Sequence, residues 1–221
     1  MADKPRTPPP PRSQGPRKRA TVQTPGGARR PRSALIAGVL AGGVLVAVVF
    51  GIALTRGSSK HSSGGPSPAA KMVAAGCTFK TYPSLGRSHV TSLAAKVKYN
   101  SFPPTSGTHY QSPAIWGHYI APLVLVQEVH NLEHGGMIIQ YGSKVPQPTV
   151  DQLLAFYTSS QNGMLLAPLP TLGAKVALTA WTHLATCTKY SKAAFTAFRD
   201  AYRGKGPESA QLPLSTLKPG T

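Results

Sequence analysis

Residues 122 to 141 read PLVLVQEVHNLEHGGMIIQY. Two parts of this stretch, Pro122 to Val129 and Gly136 to Tyr141, are short runs rich in β-branched residues, and a segment that contains glycine separates them. Runs of this length and composition, interrupted in this way, are typical of neighbouring strands. The stretch therefore predicts two strands of one sheet.

Apolar residues on the C-terminal side of this stretch follow two further patterns. Helical spacing from Val150 to Tyr157 and from Ala194 to Tyr202 predicts two helices, the second of which ends at Arg203-Gly204. Leu165 to Ala167 and Lys175 to Trp181 predict further strands. Without an internal repeat, these elements indicate a small α+β domain with a short-stranded sheet and about two helices.

The N-terminal part of the chain predicts a membrane anchor. Residues 34 to 54 are 21 consecutive residues without a charge, and a helix that rises about 1.5 Å per residue spans with them a hydrocarbon layer roughly 30 Å thick. Residues 1 to 33 contain nine basic residues and eight prolines, a composition that buries too little apolar surface to fold. We therefore expect a disordered basic tail followed by a transmembrane helix.

The distribution of charge sets the expected orientation of this anchor. Nine cations precede the span and only Arg56 and Lys60 follow it closely, so the N-terminus is expected in the cytoplasm and the rest outside. Residues 55 to 71 predict a flexible linker, residues 72 to 210 the extracytoplasmic domain and residues 211 to 221 a C-terminal tail. A cleaved signal peptide is disfavoured because both the leader and the apolar run are long.

The expected partners of the N-terminal region are lipids. Its cations would be attracted to anionic lipid headgroups at the surface of the bilayer. Because the tail lacks the interleaved aromatic residues that stack on bases, we expect no binding to nucleic acid. Gly38 and Gly42 form a G-x-x-x-G pattern in the anchor, which allows a homodimer through the transmembrane helix.

Cys77 and Cys187 are the only cysteines in the sequence. Both fall in the part of the chain expected outside the cytoplasm, where a pair of cysteines usually forms a disulfide. The alternative is that the two thiols bind a soft metal.

Five of the seven histidines lie between residues 89 and 134, and this clustering indicates a functional site. Residues 130 to 134 read HNLEH, the H-x-x-E-H order of one class of zinc proteases, in which a helix places both histidines on one face. The strand-like run before His130 and the two glycines after His134 predict no helix here, which argues against proteolysis. A tight turn would still bring both histidines together, with Glu133 in support.

A rigid loop with two prolines and a glycine presents His109 upstream of this motif. Together with other short pieces of the domain, it resembles the family called domain of unknown function 3105, an uncharacterised and mostly actinobacterial family. The pieces occur in this order: His89-Val90, Pro103 to His109, Gly117 to Tyr119, Val129 to Gly136, Ala167-Pro168, Ala180-Trp181 and Pro207-Glu208.

The resemblance covers roughly residues 76 to 210 and implies a membrane-anchored exported domain without an established activity. The family's recurrent polar residues fall on five positions of this chain: His89, His109, His130, Glu133 and His134. His118 stands where the family usually has an aliphatic residue, so it is not a candidate ligand.

Three functions remain open from the sequence. The first is a non-catalytic domain that binds zinc or copper through His109, His130 and His134, with His89 as the fourth ligand and Glu133 in support. The second is an interaction or scaffold module of the cell envelope, whose histidines only hold its loops. The third is a metal-dependent hydrolase that uses Glu133 to activate water.

Overall fold

The computed structural model describes residues 65–221. Four α-helices and eight short strands follow one another in this part of the chain, and a single 3₁₀ turn, Pro170–Leu172, precedes the seventh strand. The elements are α1 (Pro68–Ala74), β1 (Thr78–Thr81), β2 (His89–Val90), β3 (His109–Tyr110), β4 (Gly117–His118), α2 (Leu125–Glu133), β5 (Met137–Tyr141), α3 (Gln147–Thr158), β6 (Met164–Pro168), β7 (Val176–Ala180), β8 (His183–Cys187) and α4 (Lys192–Tyr202).

Six of the strands form one mixed sheet in the order β1-β8-β7-β5-β6-β4. Strand β6 lies between two parallel neighbours, β4 and β5, whereas the β5–β7, β7–β8 and β1–β8 pairs are antiparallel. The parallel β5–β6 pair needs a crossover connection, and α3 supplies it. The remaining strands, β2 and β3, form a separate two-stranded parallel sheet.

Both faces of the six-stranded sheet are covered. Ile139 and Leu166 point to one face and belong to a core that includes residues of α1, α3 and α4. Their neighbours Ile138 and Leu165 point to the other face, where they pack with Leu132 of α2 and with residues near the C-terminus. A sheet buried on both faces has strands that are apolar almost throughout, as β5 and β6 are. The predicted α+β class is confirmed, with four helices in the described part instead of about two.

Helix α2 is the main difference from the sequence prediction, which placed a strand at Pro122 to Val129. Seven of its nine residues are buried, polar and apolar alike, so its burial does not follow the division into a polar and an apolar face that is typical of a surface helix. The glycines that argued against a helix are instead its stop signal. Gly135 has φ +87°, its N–H donates to the carbonyl of Leu132, and the N–H of Gly136 donates to that of Asn131, which is a Schellman ending.

The other predicted elements of the domain are found close to their expected positions. Strands β5, β6 and β7 and helices α3 and α4 all overlap the runs that predicted them. Helix α1 begins at Pro68, inside the stretch assigned to the linker, and Met72 is fully buried. Residues 211–221, expected to form a tail, pack against the domain, where Leu217 is buried and its carbonyl accepts from the N–H of Gly163 at 2.7 Å.

The predicted basic tail and transmembrane helix lie outside the described residues. Among residues 65–221, none of the helices has the length and apolar character needed to cross a bilayer.

The two cysteines form the predicted disulfide, which closes a sequence separation of 110 residues. Strands β1 and β8 pair with Thr78 opposite Thr186, and one register step further along the antiparallel ladder places Cys77 opposite Cys187. The bond therefore fastens an edge strand, and α1 before it, to the second strand of the sheet. Both cysteines are buried in the core.

A buried carboxyl group lies where α2 packs on β5. Glu128 is 2 % exposed, and its oxygens accept hydrogen bonds of 3.1 and 2.9 Å from Nε2 of Gln140. Burial raises the pKa of Glu128 to about 8, although the hydrogen bond from Gln140 acts in the opposite direction. The protonated carboxyl is therefore the form that the native structure prefers at neutral pH.

The variant Glu128→Gln is expected to lose a pH dependence that the wild-type chain shows. Because the folded pKa exceeds the unfolded value, the contribution of Glu128 to the stability of the wild type falls as pH rises from about 4.5 to about 8. The glutamine cannot ionise, so the variant should be more stable than the wild type at pH 8 by on the order of 4 kcal/mol and similar to it at pH 4.5. Urea unfolding of both chains across this range measures the difference.

Asp151→Asn is the matched control, because Asp151 is an exposed carboxylate on α3. It makes the same change from carboxylate to amide at an exposed position, so it measures the effect of that change without burial. A Glu128→Gln difference that is constant from pH 4.5 to 8 would show that Glu128 is not protonated in the folded chain.

Candidate metal site

The two-stranded sheet brings two histidines together. His89 of β2 and His109 of β3 are direct partners in the parallel register, so their side chains lie on the same face of the pair. Their ring centroids are 4.7 Å apart. His109 is fully buried, whereas the side chain of His89 is 46 % exposed.

Helix α2 supplies the other two members of the cluster. His130 and Glu133 are three residues apart and therefore share one face of the helix. The ring of His130 stacks on that of His89 with a centroid distance of 5.1 Å. Oε2 of Glu133 lies 2.9 Å from Nε2 of His109 and 3.5 Å from Nε2 of His89. The Glu133 side chain is 1 % exposed.

Backbone carbonyl groups fix the protonation of the two buried rings. Nδ1 of His109 lies 2.7 Å from the carbonyl oxygen of Gly107, and Nδ1 of His130 lies 2.7 Å from that of Tyr110. Because a carbonyl oxygen only accepts hydrogen bonds, each Nδ1 must carry a proton and donate it. In the neutral ring, Nε2 then presents an unshared electron pair. Ligand histidines in metal sites are usually held in this way.

The cluster therefore contains several acceptor atoms with unshared electron pairs and few protons that can lie between them. Nε2 of neutral His109 and Oε2 of ionised Glu133 are both acceptors, and at 2.9 Å they repel unless a proton or a metal ion lies between them. Desolvation lowers the pKa of His130, with a smaller opposing effect from its hydrogen bond to Tyr110. His130 is therefore neutral at physiological pH, which keeps its electron pair available.

Three histidines and one glutamate can hold a metal ion at this point. One ligand atom from each of four residues lies within 4.8 Å of the other three. In a tetrahedral zinc site the ligand atoms are about 3.3 to 3.4 Å apart, which follows from bonds of 2.0 to 2.1 Å. An ion at this point would therefore draw the most distant of these atoms together by up to about 1.5 Å. The four residues are His89, His109, His130 and Glu133.

His134 lies next to this group of four but is not a member of it. Its Nε2 lies 3.0 Å from Nε2 of His130 and 3.3 Å from Oε2 of Glu208. A proton on Nε2 of His134 thus has two acceptors, so Glu208 can hold it when His130 binds a metal ion. Desolvation lowers the pKa of His134, and the charge of Glu208 opposes this shift.

Glu208 was not predicted as a site residue, because it is distant in sequence and follows a helix that ends six residues before it. The segment after α4 closes on the C-terminal end of α2, where the N–H of Glu208 donates to the carbonyl of Glu133 at 3.1 Å. A Cβ atom on Gly206 would collide with backbone atoms of this helix end. The one signal in the sequence was the Pro207-Glu208 pair among the pieces of the family resemblance.

Arg87 is a second residue that the sequence did not indicate. Its Nε lies 3.7 Å from Oε1 of Glu133, and its Nη1 lies 3.8 Å from Oε1 of Glu208. The side chain is 53 % exposed, so it screens the negative charge of both carboxylates while its own positive charge stays in contact with solvent.

The two remaining histidines of the domain lie elsewhere. His118 is exposed on β4, outside the group of four, and its ring is tilted against that of Tyr157 at 6.3 Å. His183 on β8 is partly buried and stacks on Tyr202 at 4.1 Å.

The fold and the cluster define an α+β domain with a candidate site of three histidines and a glutamate. A family model described as "Protein of unknown function (DUF3105)" matches residues 89–213, more than half of the chain. The chain belongs to this family, which confirms the resemblance seen in the sequence. Comparisons with curated proteins and with solved structures give no match. The matched segment contains all four residues of the cluster and Glu208.

Proposed function

We propose that this domain binds a divalent transition-metal ion, zinc or copper, through His89, His109, His130 and Glu133. The observation that carries the proposal is the pair of buried imidazoles whose Nδ1 atoms donate to backbone carbonyls, which leaves Nε2 of each ring as an acceptor in a cluster that also contains a buried carboxylate. Imidazole and carboxylate donors suit both metals. The set differs from the sequence hypothesis, in which His134 was a ligand and Glu133 only supported the site.

We further propose that the domain binds the metal ion without using it in catalysis. Four protein ligands fill a tetrahedral shell, whereas a catalytic zinc keeps one position open for water. The disulfide between Cys77 and Cys187 supports the placement of the domain in an oxidising compartment. A membrane anchor at residues 34 to 54 would hold it there, and we retain that anchor as part of the proposal.

A metal-dependent hydrolase is the second candidate, and one observation favours it. The H-x-x-E-H motif does lie at the end of a helix, and His134 pairs with Glu208 beside the cluster. Against it, the inverted zinc-protease motif uses both histidines as ligands and leaves the glutamate free as the base. Here Glu133 faces the imidazoles and His134 faces Glu208. If the hydrolase reading holds, Glu133→Gln should abolish turnover of a peptide or ester while metal stays bound.

Zinc is expected to stabilise the full-length chain against heat. At a free zinc concentration about a thousand times the dissociation constant, binding adds about 4 kcal/mol to the free energy of unfolding. For a chain of this size that corresponds to a rise in Tm of about 8 to 16 °C. Differential scanning calorimetry after dialysis against a chelator, with and without added zinc, measures the shift, and elemental analysis gives the expected one ion per chain.

The same measurement separates the metal-binding proposal from a scaffold without metal. Magnesium is the matched control, because it prefers oxygen ligands in octahedral geometry and should leave Tm unchanged. A chain whose Tm does not respond to zinc or copper, and which retains neither ion, would instead be a module whose histidines only hold its loops.

A further inference from the structure

The segment from Ala94 to Asn100 has the pattern of a strand but no strand partner. Its residues alternate strictly between exposed and half-buried, with Lys96 and Lys98 among the exposed ones and Val97 and Tyr99 among the half-buried ones. A period of two is typical of extended backbone. Within residues 65–221, however, no backbone group from Lys96 to Asn100 pairs with another backbone group.

An apolar groove lies beside this segment. Its volume is about 600 Å³, within the range of cavities that bind ligands. The segment forms one wall, and Phe102 with the start of α2 forms another. Three of its large apolar side chains are unusually exposed: Leu93 at 42 %, Phe102 at 51 % and Val124 at 41 %. Apolar side chains exposed together in this way mark interaction sites.

The charges around the groove are of one sign. Lys96 is the charged residue among those that line it, and Lys98 is exposed two positions further along the same segment. No acidic side chain lines the groove. A ligand that lies along this segment would therefore meet an apolar surface bordered by cations, and acidic groups at its own edge would complement them.

We propose that this groove binds an extended peptide segment of a partner protein that carries acidic side chains at alternate positions. The peptide adds a strand to residues 96 to 100, so that its backbone pairs with the N–H and C=O groups of that segment. Its apolar side chains enter the groove beside Phe102 and Val124, and its carboxylates face Lys96 and Lys98. The inference is independent of the metal, since it uses none of the four candidate ligands.

Two other occupants fit the observations less well. A second copy of this chain, paired through the same edge, would place its lysines against those of the first copy, and like charges on facing strands are destabilising. An anionic lipid would satisfy Lys96 and Lys98 and the apolar wall but would leave the free backbone groups unpaired.

The test uses the full-length chain and a fluorescent pool of octapeptides with glutamate at every second position and Val, Ile, Leu or Phe at the others. Anisotropy titration is expected to show saturable binding that is at least tenfold tighter than that of the same pool with lysine in place of glutamate. The double variant K96E/K98E should bind the acidic pool at least tenfold more weakly. The matched control K144E/K175E changes the charge equally at two exposed lysines outside the groove and should bind as the wild type does.

Amide hydrogen exchange distinguishes strand addition from other modes of binding. The acidic pool should slow exchange at amides within residues 96 to 100 at least tenfold, because a strand pairs the amides along one edge of the segment. The proposal is overturned if the acidic pool does not bind, if both double variants bind equally, or if no amide in this segment is protected. It is also overturned if the chain dimerises through this segment, or if vesicles with anionic lipid bind with the same lysine dependence and the peptides do not.

Discussion

The full-length chain with both His109 and His130 replaced by alanine is expected to bind zinc about a thousandfold more weakly than the wild type. Mutation of groups that only orient metal ligands already lowers affinity by about 10- to 100-fold, and this variant removes two ligands. Both rings are held by hydrogen bonds of 2.7 Å to backbone carbonyls. The variant therefore loses two ligands whose orientation the backbone fixes. Competition with a chromophoric chelator at pH 7.4 measures the affinity.

A single variant at the exposed edge of the cluster tests the site with a substitution that should not unfold the chain. His89→Ala removes one ligand from a side chain that is 46 % exposed, and is expected to lower zinc affinity by about 10- to 100-fold without unfolding the chain. His118→Ala is its matched control, because His118 is also an exposed histidine on a two-residue strand but lies outside the group of four. Equal zinc affinity of these two variants would remove His89 from the proposed ligand set.

The Glu133→Gln variant decides whether a metal ion or a proton joins the cluster. A glutamine amide can donate a hydrogen bond to Nε2 of His109 and so replace a proton shared with the carboxylate, but it is a poor metal ligand. If a metal ion joins the cluster, the variant should remain folded and bind zinc at least tenfold more weakly. Unchanged affinity, together with a folded chain, would mean that Glu133 pairs with a protonated histidine instead.

The sequence predicted the helices that expose one face and the strands that are apolar almost throughout, and it failed at α2, a helix that buries polar and apolar residues alike. Helix α4 exposes one face and buries Ala194, Phe195 and Phe198 on the other, which produces a clear helical period. Helix α2 lies between the sheet and β3 and buries both polar and apolar residues. Its valines are β-branched residues, which are typical of strands, and they led to the prediction of a strand. Its C-terminal glycines stop a helix as readily as they start a turn, and only the hydrogen bonds to Leu132 and Asn131 distinguish the two.

The candidate site was predicted in its residue types but not in its arrangement. The concentration of histidines indicated His89, His109 and His130, and the structure brings these three together. Glu133 and His134 exchange roles because Oε2 of Glu133 reaches the imidazoles of the two-stranded sheet, whereas Nε2 of His134 lies between His130 and Glu208. The sequence prediction of a strand and a turn could not show this exchange of roles. The segment that carries Glu208 is positioned only by its tertiary contacts with the end of α2.

Replacement of both Cys77 and Cys187 by serine is expected to destabilise the chain by about 4 to 5 kcal/mol. The disulfide closes a loop with a sequence separation of 110 residues, and the chain-entropy model gives this value for a loop of that length. For a chain of this size the loss corresponds to a fall in Tm of about 8 to 20 °C. Thermal unfolding of the oxidised wild type and of the double serine variant measures the difference.

The position of the disulfide separates this loss of stability from any effect on the metal. The bond fastens β1 to β8 within the core formed by α1, α3 and α4, whereas the four candidate ligands belong to β2, β3 and α2. Below its lowered Tm, the serine variant should therefore bind zinc as tightly as the wild type. A reductant should lower the Tm of the wild type toward that of the variant and leave the variant unchanged. If reduction does not alter the Tm of the wild type, the loop closure does not stabilise the native state.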